Sequence, residues 1–166
     1  MAIRNLSHWD DPIFRKKSKV VEKFDQRLWD LLDDMRDMLT KVGGYGCAAV
    51  HVGVLRRVVV VNDDNCVIEL VNPVILESSS ETQEVMEGSI SPGAPRCKVI
   101  RPKSVKVSAL DRNGSPITVT GDGFLLLRFF TRFTILMGFC LLIKRMRGLG
   151  IWIIKYSSYL NLMKFK

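Results

Sequence analysis

The first regular pattern along the chain runs from Asp25 to Gly43, where Leu28, Leu31, Leu32, Met35, Met38 and Leu39 recur three and four positions apart. Asp30, Asp33, Asp34 and Asp37 fall on other faces, so the spacing predicts an amphipathic helix. Asp25 supplies its N-cap, Phe24 and Trp29 fit a hydrophobic staple across that cap, and Gly43-Gly44 end it. Beyond the glycines the period shortens. Val58–Val61, Cys66–Val71 and Val105–Leu110 are runs rich in β-branched residues and predict strands. Asn113-Gly114, between Val105–Leu110 and Ile117–Val119, predicts a hairpin closed by a type I′ turn with positive φ at both central residues. Asp11-Pro12 opens a turn ahead of a charged surface stretch, and Ser78-Ser79-Ser80 predicts an exposed loop. This order of elements is α+β, an N-terminal helix with mixed or antiparallel sheets.

A chain of 166 residues with 47% hydrophobic content holds one compact domain and is too short for two comfortable ones. Its N-terminus, Met1-Ala2-Ile3-Arg4-Asn5-Leu6, lacks the continuous apolar run of a secretory signal, so the expected setting is the cytoplasm. Cys47, Cys66, Cys97 and Cys140 contain no C-x-x-C pair, which excludes a zinc ribbon or a thioredoxin-like motif; buried free thiols are expected.

The formal charge of +8 changes meaning once it is located. From Phe124 to Lys166 there are eight basic residues and no Asp or Glu; the remaining 17 Lys and Arg, 25 less these eight, equal all 17 acidic residues before them. Residues 1–123 are therefore formally neutral, and the body makes no electrostatic case for nucleic acid.

Two short segments carry candidate chemistry. Gly44-Tyr45-Gly46-Cys47-Ala48-Ala49-Val50-His51-Val52-Gly53 holds three glycines and two alanines in ten positions, which lets another chain approach the backbone closely. The same spacing equally fits a glycine-rich connection packed on a helix. Glu87-Gly88-Ser89-Ile90-Ser91-Pro92-Gly93 is a second small-residue turn with a polar side chain at its centre. Ser89 has no G-x-S-x-G frame, and only His8 and His51 exist to serve as a base, so an ordinary turn hydroxyl is the favoured reading over a serine hydrolase.

Taken together, the opening Met-Ala-Ile-Arg-Asn, the segment Asp11-Pro12-Ile13-Phe14-Arg15, Gly44 to Gly53 and Glu87 to Gly93 resemble the peptide deformylase family in order and approximate spacing. Leu70-Val71-Asn72-Pro73 and Leu110-Asp111-Arg112-Asn113-Gly114 add to the likeness, which covers roughly residues 1–123. The resemblance implies a metallohydrolase that removes the formyl group from the N-terminal methionine of nascent proteins, with formyl-methionyl nascent peptides at the ribosome as its expected partners. It implies Fe²⁺, with Zn²⁺ as a substitute, held by the cysteine of the second motif and two histidines of a His-Glu-x-x-His helix. Histidines four apart share a helix face and grip one ion, which lowers the pKa of bound water towards ~7. The intervening glutamate moves the proton, and the glutamine of the first motif with the backbone N–H after the cysteine stabilises the oxyanion.

Carried onto this chain, the glutamine falls at His51, the metal cysteine at Ser89 and the backbone donor at Ile90; backbone contacts to formyl-methionine fall at Tyr45 and Gly46. His51 retains a hydrogen-bond donor if its tautomer permits. Ser89 is a poor soft-metal ligand, and the second motif is one residue short between Ser91 and Pro92.

The third motif is missing, since no histidine follows His51. The disappearance of every acidic residue at one point suggests a change of reading frame. One permitted codon set for Thr131 to Lys144, preceded by the C that ends one codon for Phe130, regroups to read His-Glu-Ile-Tyr-His-Leu-Asp-Gly-Val-Leu-Phe-Ile-Asp-Lys. A one-nucleotide frameshift near Phe124 to Phe130 is therefore expected, leaving Thr131, Arg132 and Ile135 where His, Glu and His belong. A rival reading makes Phe124 to Ile143 a membrane anchor; Arg128 and Arg132 oppose it, because an arginine near the centre of a span costs at least ~2.5 kcal/mol. The expected organisation is a deformylase-like body over 1–123 and a divergent basic, apolar tail over 124–166. The expected activity is that of a peptide deformylase inactive as written, with a catalytically dead peptide-binding relative and a basic membrane-associated protein as alternatives.

Overall fold

A computed structural model of the chain describes residues 5–63 and 66–122. The tail over 124–166, with Thr131, Arg132, Ile135 and Cys140, lies outside the described residues. The elements are one α-helix, α1 (Gln26–Val42), and seven strands: β1 (Gly46–Ala48), β2 (Val58–Asp63), β3 (Cys66–Ser78), β4 (Thr82–Glu87), β5 (Cys97–Pro102), β6 (Ser104–Leu110) and β7 (Pro116–Asp122). Five strands form a sheet in the order β1-β2-β3-β6-β7, and β4 and β5 form a separate two-stranded ribbon. Every strand pairing described is antiparallel; among the described residues the one parallel contact is an isolated bridge between Lys19 and Arg56. The α+β expectation is met, in its antiparallel form.

The helix forms where its apolar period ran. Asp25 caps it by accepting from the Leu28 N–H at 3.3 Å, and Gly43, at φ 62°, closes it. Leu28, Leu31, Leu32, Met35, Met38 and Leu39 are buried against Cys47, Val58, Val60 and Val71 of the sheet. Each such side chain contributes about 1.5–3 kcal/mol on leaving water. The other face of β2, Val59 and Val61, packs with Phe14, Ala48, Val50, Leu70 and Ala109. This explains the unbroken valine run: β2 is covered on both faces, so both side-chain rows must be apolar. In β6, by contrast, Val105, Val107 and Ala109 are buried and alternate with residues only partly covered.

Three expectations need correction. The loop from β6 to β7 is not a two-residue type I′ turn: Gly114 has φ 86°, but Asn113 does not enter the left-handed region. Asp111 carboxylate oxygen Oδ1 accepts from the N–H groups of Asn113 and Ser115, each at 2.8 Å, which stabilises a longer turn that needs only one positive φ. Strand β3 continues past Val71 to Ser78, taking the first serine of the expected loop into the sheet. It does so through register shifts between Val71 and Val74 and between Ile75 and Glu77. Asn72, at φ 52°, sits in the first of these and binds the backbone of Val21 through both ends of its amide, at 2.9 and 2.8 Å. Finally, Cys47 is buried as expected but Cys66 is exposed at the start of β3.

Candidate active site

The small-residue segment folds in two pieces. Gly46–Ala48 form β1, paired to β2 and lying at the end of the five-stranded order, so it is an edge strand among the described residues. Ala49–Val52 then turn into a short 3-10 helix. His51 is its third residue, the place from which a Gln or Glu reaches back to an N-cap N–H. The imidazole makes that contact: the Ala48 N–H donates to His51 Nδ1 at 3.0 Å. The same nitrogen lies 3.0 Å from the Ala48 carbonyl oxygen. The ring is fully buried and meets Phe14 edge-on, with centroids 5.5 Å apart.

Ser89 lies two residues beyond the end of β4. Its position is set by Glu87, the last residue of that strand, whose carboxylate accepts from Arg101 Nε at 2.7 Å and Arg101 Nη2 at 2.9 Å with both side chains buried. The Ser91 N–H donates to Ser89 Oγ at 3.2 Å, closing a local turn. Ile90 lies over Gly44, where an added Cβ would come within 2.8 Å of Ile90 Cγ2. That close approach is why the first motif needs glycine there. Gly93, at φ 74°, turns the chain beneath His8, whose Nε2 would be 2.7 Å from a Cβ at that position.

The two motifs therefore meet. His51 Nε2 and Ser89 Oγ are 3.3 Å apart although 38 residues separate them. The chain brings His51, Ser89 and Ile90 to one place, beside the strand bearing Gly46. Tyr45 precedes that strand with its side chain exposed, and its carbonyl accepts from the Asn62 N–H at 3.0 Å. Three contributors were not singled out from sequence: Ala48, which holds the His51 ring, Phe14, which packs on it, and Arg101, which anchors Glu87. The capping position of His51 was the one available signal, hidden because its helix is a single short turn.

The donor set does not suit the metal that the third motif would have completed. Among the described residues no cluster of three or more His, Cys, Asp or Glu side chains is arranged to hold an ion. The only histidines in the whole chain are His8 and His51, and the residues from 124 onwards contribute Cys140 and no His, Asp or Glu. Ser89 offers a hydroxyl where a thiolate would be required.

The likeness to known proteins agrees with the geometry. Residues 3–147 match the family model for polypeptide deformylase. A peptide deformylase of Caldicellulosiruptor bescii is 46% identical over 125 residues, covering 75% of this chain and 75% of that protein. Peptide deformylase 2 of Clostridium acetobutylicum is 44% identical over 126 residues, 75% of this chain and 83% of that one. Among solved structures, a peptide deformylase from Legionella pneumophila superposes with a TM-score of 0.78 at 36% identity, covering 82% of each chain. One from Thermotoga maritima gives 0.79 at 29% identity, covering 83% of this chain and 94% of that one. The chain belongs to the polypeptide deformylase family.

Proposed function

We propose that the chain is a peptide deformylase by descent, one that keeps a groove for formyl-methionyl N-termini of nascent proteins and has lost metal-dependent turnover. The body over 1–123 carries the groove, and 124–166 is a divergent tail in place of the metal-binding helix. The observation that carries this reading is the meeting of the two motifs, His51 beside Ser89 with Ile90 over Gly44, without the donors an ion requires. Gly46–Ala48, as an edge strand, offers backbone groups to an extended peptide, the geometry of strand addition. Tyr45 and Gly46 are the residues assigned to formyl-methionine, and His51 and the Ile90 N–H are assigned to its carbonyl oxygen. The family's metal dependence, on Fe²⁺ or Zn²⁺, has no matching ligand trio here. The expected location is the cytoplasm, where formylated chains are made; among the described residues no helix is long and apolar enough to cross a membrane.

Titration calorimetry of the full chain with a formyl-methionyl tripeptide, alongside metal analysis and a formate-release assay, tests this. Peptide binding without stoichiometric metal supports the reading. Formate release that a chelator abolishes would overturn it.

A further inference from the structure

We propose that Ser89 and His51 form a metal-independent acyl-transfer dyad, with small acyl esters as its fast substrates and the formyl-methionyl amide as a slow one. Two of the positions at which this chain leaves the deformylase pattern have side chains that face each other, His51 Nε2 lying 3.3 Å from Ser89 Oγ. Each change alone weakens metal chemistry; side by side they place a hydroxyl within reach of an imidazole base.

The surroundings suit proton transfer. In the tautomer with its proton on Nδ1, the Ala48 carbonyl 3.0 Å away accepts that proton and Nε2 faces the serine as an acceptor, the part a carboxylate plays in a Ser-His-Asp triad. When Nδ1 is bare, the Ala48 N–H donates to it at 3.0 Å, so the ring keeps a partner in either tautomer. Phe14 packs against the ring and limits its rotation. Ser89 is only partly buried, whereas His51 is fully buried. The Ile90 N–H, next in the chain, is the backbone donor assigned to an oxyanion formed at Ser89.

In the first half-reaction Ser89 Oγ bonds to the acyl carbon as its proton passes to His51 Nε2. The carbonyl reforms as the bond to the leaving alcohol or amine breaks, and that group takes the proton from Nε2. In the second, water adds to the acyl-serine, giving its proton to Nε2; the acid departs and Ser89 recovers the proton. Esters go faster because an alkoxide or phenolate leaves more readily than an amide nitrogen.

The proposal rests on the groove reading only for its peptide substrate. The test uses the full chain in excess chelator with 4-nitrophenyl acetate and, separately, an alkyl fluorophosphonate, followed by peptide mapping. Wild type is expected to carry one acyl or phosphonyl group on Ser89; Ser89→Ala carries none, and His51→Gln reacts about 100-fold more slowly, the usual contribution of a general base. Glutamine reproduces the reach-back to the Ala48 N–H, and unchanged circular-dichroism melting shows that the variant is folded. Absence of label in folded wild type, labelling lost on chelation, or equal rates in Ser89→Ala or His51→Gln would overturn the dyad. Labelling of Ser89 without formyl-methionyl peptide binding keeps the dyad and defeats the groove reading; binding without labelling does the reverse.

Discussion

Glu87 and Arg101 form a two-point ion pair, 2.7 and 2.9 Å long, buried within the β4-β5 ribbon and two residues from Ser89. Two charges removed from water are tolerable only while each satisfies the other. Glu87→Ala is therefore expected to destabilise the fold by about 3–5 kcal/mol, since it takes the two-point carboxylate away from a buried guanidinium. Replacing both partners, Glu87→Met with Arg101→Met, should recover most of the loss, because two apolar side chains of similar volume need no partner. Urea denaturation of wild type, Glu87→Met, Arg101→Met and the double variant measures the cycle; a double variant as unstable as the sum of its parts would show that the pair is not what holds this ribbon.

Asn72 combines an unusual backbone conformation with two hydrogen bonds to Val21. Asn72→Ala loses both bonds and puts a Cβ-bearing residue without a compensating amide at φ 52°, an expected cost of about 2–3 kcal/mol. Asn72→Gly relieves the backbone but not the bonds and should fall between. Chemical denaturation ranks the three; alanine equal to wild type would remove Asn72 as the tie between the Val21 segment and the sheet.

Arg112 joins three elements. It donates to Glu69 of β3 at 2.9 and 2.7 Å and to Asp33 of α1 at 2.7 Å, while its own carbonyl accepts from Trp29 Nε1 at 2.9 Å. The carboxylates of Glu69 and Asp33 raise its pKa further above an already high value, so it stays charged throughout the accessible range. Arg112→Met should lower stability by about 1–3 kcal/mol, and Arg112→Lys should restore little, because an ammonium lacks the planar fork that reaches both acids. Thermal melts in low and high salt check this. The deficit should shrink with salt, since Arg112 is partly exposed.

The helix and β2, β6 and β7 were legible because their burial repeats within a few residues: one face in α1, both rows in β2, every second residue in β6. The β4-β5 ribbon was not. Thr82-Gln83-Glu84-Val85-Met86-Glu87 reads as polar, and its support comes from partners distant in sequence, such as Lys98 with Glu84 at 2.8 Å and Lys103 with Glu81 at 2.7 Å, besides the buried pair. The site shows the same division. The small residues of both motifs were visible as motifs, but no periodicity places Nε2 of His51 against Oγ of Ser89 across 38 residues. Ser89 consequently looked like a turn hydroxyl, a role it does fill through the Ser91 N–H.

The proposed loss of metal chemistry makes its own prediction. On that proposal two separate deficits stand in the chain: a serine at the second motif, and Thr131, Arg132 and Ile135 at the positions assigned to a His-Glu-x-x-His helix. Two histidines four apart supply two ligands on one helix face, and a third soft donor completes a grip on the ion. Ser89→Cys alone should therefore bind no stoichiometric metal. Replacing residues 131–144 by His-Glu-Ile-Tyr-His-Leu-Asp-Gly-Val-Leu-Phe-Ile-Asp-Lys should give weak binding that is lost on dialysis against chelator. Both changes together should retain about one Fe²⁺ or Zn²⁺ per chain, the third donor being what slows its release. Plasma mass spectrometry on the four dialysed chains decides the matter. Tight metal in the chain with Ser89→Cys alone would mean that ligands exist outside both motifs, and with them the assignment of the lost helix would fail.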